Sequence, residues 1–329
     1  MRAGAVAVAA RTVGLVGVVL ALAACSGPVP VPSATPGLGA PGAALPAQSD
    51  RIVRHTLAEL AAADAASDPR LLTERVTGAA AQSRAAEYIV AAKGGAAPEV
   101  IPSALLAVYT TGAETWPRAM VGVTEPADAS HTPVVLLWVQ DGAAAPYQLR
   151  QWAHMLPGAV LPAMPGAAVG SEQLPLTAVG FTATPKDVID DYIALLNAGS
   201  TSDLESAFAA DIYRDRMFAA RTTLAASATA KGGTYADTIV AHTDQAVVLS
   251  DAEGGALIFL PIGVVSDFTV PGQTLALPAS DKALLTGTLG SRVIHHYEDL
   301  IVLRIRAGGS GVIPVVVAAD HHLVAVTTS

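Results

Sequence analysis

Four histidines fall as two adjacent pairs, His295-His296 and His321-His322, with Glu298, Asp299 and Asp320 close by. Imidazole and carboxylate together suit zinc or another divalent ion. Neighbours in a strand point to opposite faces, so neither pair chelates by itself. Chelation would need the two pairs to meet across strands. The metal candidates are therefore His295, His296, His321, His322 and Asp320. The plainer reading keeps them as half-buried strand histidines with ordinary hydrogen bonds, and no cofactor is expected.

A second constellation comes from period-two reading of residues 293–306. Val293, His295, Tyr297, Ile301, Leu303 and Ile305 share one side, and His296, Glu298, Arg304 and Arg306 share the other. His295 and Tyr297 are then candidates to line a pocket. Tyr235 and Asp237, at the start of another strand, join them as a donor and a carboxylate. Asp190 and Asp191 sit about 100° apart on a helix and do not converge, so they read as a solvated face. No G-x-S-x-G, H-E-x-x-H or phosphate-loop motif occurs. Gly37–Gly42 has the form G-x-G-x-x-G, but no strand precedes it, so it fails as a dinucleotide loop. The expectation is a non-enzyme that binds an envelope ligand or partner protein. An enzyme with a small-molecule pocket is the alternative.

Cys25 is the one cysteine among 329 residues. It follows Leu22-Ala23-Ala24, the form of a bacterial lipobox. Arg2 and Arg11 supply a positive start, and the uncharged run from Thr12 to Ala24 suits a signal-peptide core and is too short to span a bilayer. Residues 1–24 are thus expected to be removed, and Cys25 to carry acyl chains that anchor the chain to the outer face of the cell membrane. Loss of Arg2 and Arg11 takes the formal charge from −9 to −11. Such a surface is repelled by nucleic acid and anionic lipid. With Cys25 acylated no thiol is left, so disulfides and thiol chemistry are excluded.

The elements that must position the candidates follow from punctuation and periodicity. Residues 25–48 hold Pro28, Pro30, Pro32, Pro36, Pro41 and Pro46 and read as an extended tether. Residues 49–165 form a first unit. Its helices are expected from near Asp50, from Asp68 through Val76 with a break at Gly78, and over Arg84–Lys93. Strands follow at Leu105–Thr110, Arg118–Val123, Val134–Gln140 and Tyr147–His154. Residues 166–183 bridge to a second unit, 184–329. There Thr184 caps a helix that starts with Pro185 and ends at Gly199. A short helix opens at Ser202, and another covers Tyr213–Ala228. Four long strands are expected at Tyr235–Leu249, Ala256–Val270, Val293–Arg306 and Val312–Thr327, with Pro261 and Pro314 at edges or kinks. Leu72…Arg84 and Leu204…Arg216 share a spacing that hints at an internal repeat. Helices before antiparallel strands in both halves give an α+β class with two tandem cystatin/NTF2-like units.

The lipobox, the run Asp68-Pro69-Arg70-Leu71-Leu72-Thr73-Glu74-Arg75-Val76-Thr77-Gly78 with Arg84-Ala85-Ala86-Glu87-Tyr88, and Pro146-Tyr147-Gln148-Leu149-Arg150 carry a resemblance. With these pieces the chain resembles a set of uncharacterised actinobacterial lipoproteins with a C-terminal domain of unknown function. The resemblance implies the address and the fold. It supplies no functional residues.

Overall fold

The computed structural model describes residues 41–328 apart from positions 73 and 113. Leu22, Ala23, Ala24, Cys25 and most of the expected tether lie outside the described residues. The first helix, α1 (Pro46–Ala66), starts four residues before Asp50. Pro46 needs no hydrogen-bond partner at the first position, and the Gln48 side chain accepts the Leu45 N–H at 2.8 Å. Upstream, Ala44 is buried and Gly42 bridges Gly112, so the Pro/Gly-rich composition runs into folded structure.

A single 3-10 turn at Pro69–Leu71 replaces the expected second helix. The Glu59 carboxylate accepts the Arg75 N–H at 3.0 Å, and Val76 bridges Leu149, which holds this segment extended. Gly78 opens the next helix rather than breaking one: α2 is Gly78–Ala92. Strands β1 (Leu105–Thr110), β2 (Arg118–Thr124), β3 (Val134–Gln140) and β4 (Gln148–His154) form an antiparallel meander in that order.

In the second half, α3 (Pro185–Ala198) has Thr184 accepting the Asp187 N–H and ends at Gly199. Gly199 sits at φ 86, ψ −168, a conformation open in practice to glycine alone. A 3-10 turn (Asp203–Ala207) leads to α4 (Ile212–Thr229). Then come β5 (Thr234–Ala241), β6 (Val247–Ser250), β7 (Ala256–Thr269), the short α5 (Ala279–Leu284), β8 (Leu285–Thr286), β9 (Arg292–Ile305), β10 (Val315–Asp320) and β11 (Leu323–Thr327). The described residues are thus α+β, with a four-stranded and a seven-stranded sheet.

The two 14-residue strands β7 and β9 pair from Ala256↔Ile305 to Thr269↔Arg292 and form the spine of the larger sheet. Each flanking strand was expected to be continuous, and each is broken. On one side β5 ends opposite Ile262 and β6 resumes opposite Phe259, so the gap faces Pro261, which has no N–H to donate. On the other side β10 and β11 are separated by His321-His322. There the buried Asp299 carboxylate accepts the His322 N–H at 3.0 Å and binds His321 Nδ1 at 2.7 Å. Pro261 pairs with Leu300, so both breaks lie at one level of the sheet.

Below that level the two sheets pack face to face. Val121, Val135 and Leu137 of the first share a core with Phe259, Val302 and Val317 of the second. The other face of the first sheet, with Met120, Leu136 and Trp138, packs on Val53, Leu57 and Leu60 of α1. Trp138 donates to Thr56 at 3.1 Å. Burial on both faces explains the near-continuous apolar run Val134–Val139. The other face of the larger sheet packs on α3 and α4 through Ile258, Ile301 and Leu303. The order is helix, sheet, sheet, helix, and the described residues fall in one compact unit. Within it, residues 166–183 bridge both sheets: Ser171 to Thr111, Gln173 to Leu249 and Phe181 to Ala307. The Leu–Arg spacing does not mark equivalent positions. Arg84 is buried and Arg216 is exposed; the buried arginine on α4 is Arg214.

A titratable seam crosses the two halves. Asp320 on β10 accepts the His154 N–H at 3.1 Å and binds His154 Nδ1 at 2.7 Å, and His322 Nε2 lies 3.6 Å away. The Asp320 hydrogen bond raises His154 to about 9. Burial pushes Asp320 up, but the His154 and His322 imidazoles outweigh it and bring it down to about 2. A base whose pKa rises on folding contributes stability that is whole below its unfolded value. His154's share is therefore lost between about pH 6.5 and 9, and Asp320's share as pH falls from 3.8 toward 2. Thermal melts from pH 3 to 10 are expected to fall along both limbs, and the alkaline limb is expected to flatten in Asp320→Asn. An alkaline limb unchanged in that variant would contradict the seam.

Candidate functional site

Above the level of the two breaks, α4 lies across β5, β7 and β9 and leaves a cleft. The sequence closes this end through Gly233, where a Cβ would stand 2.0 Å from the Thr269 carbonyl oxygen. That close approach of backbones sends the chain from α4 directly into β5. The cleft consists of two adjoining cavities, about 300 Å³ and about 460 Å³, which share Leu224, Tyr235, Ser266 and Tyr297. Volumes of this size match small-molecule sites.

All four residues expected in a pocket line these cavities. Tyr235 and Tyr297 face both, Asp237 the smaller and His295 the larger. Alternation along the strands accounts for it: 235 and 237 on β5, 264 and 266 on β7, and 293, 295 and 297 on β9 lie in register on one face.

The chemistry of these groups differs. Asp237 accepts from Ser266 Oγ at 2.7 Å and from Arg221 Nε at 3.0 Å. Arg221 also donates to the Leu196 and Asn197 carbonyls at the end of α3, so this carboxylate ties α3, α4 and β5 together. His295 Nε2 binds Asp281 at 3.0 Å, and that bond holds Asp281 below its ordinary range. Burial raises the phenols of Tyr235 and Tyr297, which stay neutral and keep a proton to offer.

His321 presents a further arrangement. Its Nδ1 binds Asp299 Oδ2 at 2.7 Å, and the same oxygen accepts the Tyr213 hydroxyl at 2.6 Å. The His321 ring stacks on Tyr297 with centroids 3.9 Å apart. Asp299 is fully buried, and His321 lines the smaller cavity. Among the described residues neither His321 Nε2 nor the Tyr297 hydroxyl has a protein partner. A carboxylate behind one imidazole nitrogen fixes the ring and leaves the other nitrogen to meet a ligand or water.

The metal candidates do not converge. His295 turns to Asp281, His296 to Thr327 at 3.1 Å, His321 to Asp299, and Asp320 to His154. His322 points away toward Trp152, with ring centroids 5.9 Å apart. Register is the reason: the ladder runs from Asp320↔Leu300 to Leu323↔Tyr297, so His321 and His322 fall opposite Asp299 and Glu298 and not opposite His295 and His296. Among the described residues no three His, Cys, Asp or Glu side chains are gathered for a metal ion. Trp138 and Trp152 do not face each other across their hairpin; they pair with Leu149 and Leu136 and are buried.

In the sequence Asp299 reads only as a carboxylate near the histidine pairs, and Tyr213 only as the start of a helix. Asp299 falls in the odd-numbered series with His295, Tyr297 and Ile301, so its face was legible. Its partners come from α4 and from beyond β10, and no local pattern announces them.

Among the described residues no helix is long and apolar enough to cross a membrane. In comparisons with protein-family models, curated proteins and solved structures, nothing matches this chain.

Proposed function

We propose that this chain is an exported lipoprotein, anchored by acyl chains on Cys25 at the outer face of the cell membrane, that binds an envelope ligand in the cleft under α4 without transforming it. We read the second half as a cystatin/NTF2-like cone and the first as a second such unit packed against it. No cofactor or nucleic acid enters this reading. The observation that carries it is an open cleft whose wall combines apolar side chains with polar groups that have no protein partner among the described residues, the Tyr297 hydroxyl and His321 Nε2 at its floor. Its carboxylates are already engaged: Asp237 by Arg221 and Ser266, Asp320 by His154, Asp281 by His295. Binding, with few oriented polar groups in an apolar wall, is what such a site supports best.

A thermal-shift assay tests it. An organic extract of the native envelope is expected to raise the melting temperature of the full chain, as any ligand of the folded state does. Leu224→Trp, which adds bulk where the two cavities adjoin from an exposed position on α4, is expected to abolish the shift. An equal shift in both proteins would place binding elsewhere.

One observation favours a second reading. The Asp299–His321 pair has the geometry of an oriented general base. If the cleft houses an enzyme, a component of the extract is converted by the wild-type chain and spared by His321→Gln. No conversion by either leaves the binding reading as it stands.

A further inference from the structure

One stripe of α4 runs along the mouth of the cleft. Ile212, Arg216, Ala220 and Leu224 recur every four residues and line the smaller cavity, and Lys231, just past the helix, lines the larger. The charges along this mouth are unbalanced. Asp237, Asp281 and Asp320 each have a cationic or imidazole partner from the protein. Arg216 and Lys231 are exposed and have no acidic partner among the described residues. In a chain of net charge −9, two cations without counter-charges along one cleft are a local reversal of sign. Behind them the wall is apolar, with Met217 and Val264 in the smaller cavity and Phe268, Leu275 and Leu277 in the larger.

We propose that the ligand of this cleft is an anionic amphiphile: an acyl or alkyl chain ending in one carboxylate or phosphate group. The anionic end meets the Arg216 guanidinium at the mouth of the smaller cavity. The chain runs between Tyr235 and Tyr297 toward Leu275 and Leu277. A planar guanidinium matches either oxyanion through two parallel N–H bonds, which favours the Arg216 end over the Lys231 end. Lys231 extends the positive field at the far opening. This inference rests on the binding reading above.

The test is calorimetric titration of the full chain in lipid nanodiscs, with empty nanodiscs as the blank. The probes are octanoate, octyl phosphate, octanol and inorganic phosphate. Octanoate and octyl phosphate are expected to bind about tenfold more tightly than octanol, the scale of a charge-assisted pair. Arg216→Gln is expected to remove that difference and Lys231→Gln to reduce it only in part; both residues are exposed, so both variants fold. Octanol binding as tightly as octanoate would overturn the anionic assignment and leave the cleft as an apolar site. Inorganic phosphate binding as tightly as octyl phosphate would overturn the amphiphile. A larger loss in Lys231→Gln than in Arg216→Gln would overturn the placement of the head group. No binding of any probe above the blank would overturn the binding reading itself.

Discussion

Phe259→Ala is expected to destabilise both halves of the protein together, by about 3–5 kcal/mol. Phe259 lies on β7 with no exposed surface, in the core where the two sheets meet. Its neighbours there include Val121, Val135 and Leu137 from the first half and Val302 and Val317 from the second. Removing the ring leaves a cavity that neither sheet can close alone, because each is held by its helices on the other side. The three tryptophans, Trp116, Trp138 and Trp152, all lie in the first half. Tryptophan fluorescence therefore reports on the half that does not carry the substitution. Urea unfolding followed by fluorescence and by circular dichroism should give one transition, shifted equally in both signals. A fluorescence midpoint that stays put while the dichroism midpoint falls would mean the halves fold independently.

The second large effect concerns the anchor. Cys25→Ala is expected to move the chain from the membrane pellet to the soluble fraction. Each methylene buried in lipid contributes roughly 0.8 kcal/mol, so the two acyl chains of the proposed anchor would retain the protein and their loss would release it. The substitution leaves the described fold untouched, since Cys25 precedes residue 41. Fractionation of cells that express each form, with mass spectrometry of the first residue, checks it. Equal retention of both forms would reject the lipid anchor.

Much of the fold could be read from local patterns. Strand Val134–Gln140 and the helix between Thr184 and Gly199 carry their own punctuation: an apolar run before Asp141-Gly142, and a Thr-Pro start with a Gly stop. What local patterns could not supply was long-range. The strand expected over Tyr235–Leu249 breaks because its partner presents Pro261, more than ten residues downstream. The strand expected over Val312–Thr327 breaks because Asp299, on another strand, takes the hydrogen bonds of His321 and His322. The metal constellation fails on register instead: His321 and His322 fall opposite Asp299 and Glu298, away from His295 and His296.

The candidate site shows the same division. Tyr235, Asp237, His295 and Tyr297 were legible because period two places them on one face of the sheet. Their roles were not. Asp237 was expected as a chemical carboxylate and is held by Arg221 and Ser266. His321 read as a half-buried strand histidine or a metal candidate, and it faces the cleft with Asp299 behind it. Those roles follow from α4, whose stripe of Tyr213, Met217 and Arg221 meets the sheet only after the chain has folded.

Native mass spectrometry of the full chain released from its own membranes addresses the cleft most directly. The account predicts a bound small molecule on the wild-type protein and a bare Leu224→Trp variant. A bare wild-type protein, or the same added mass on both, would contradict it.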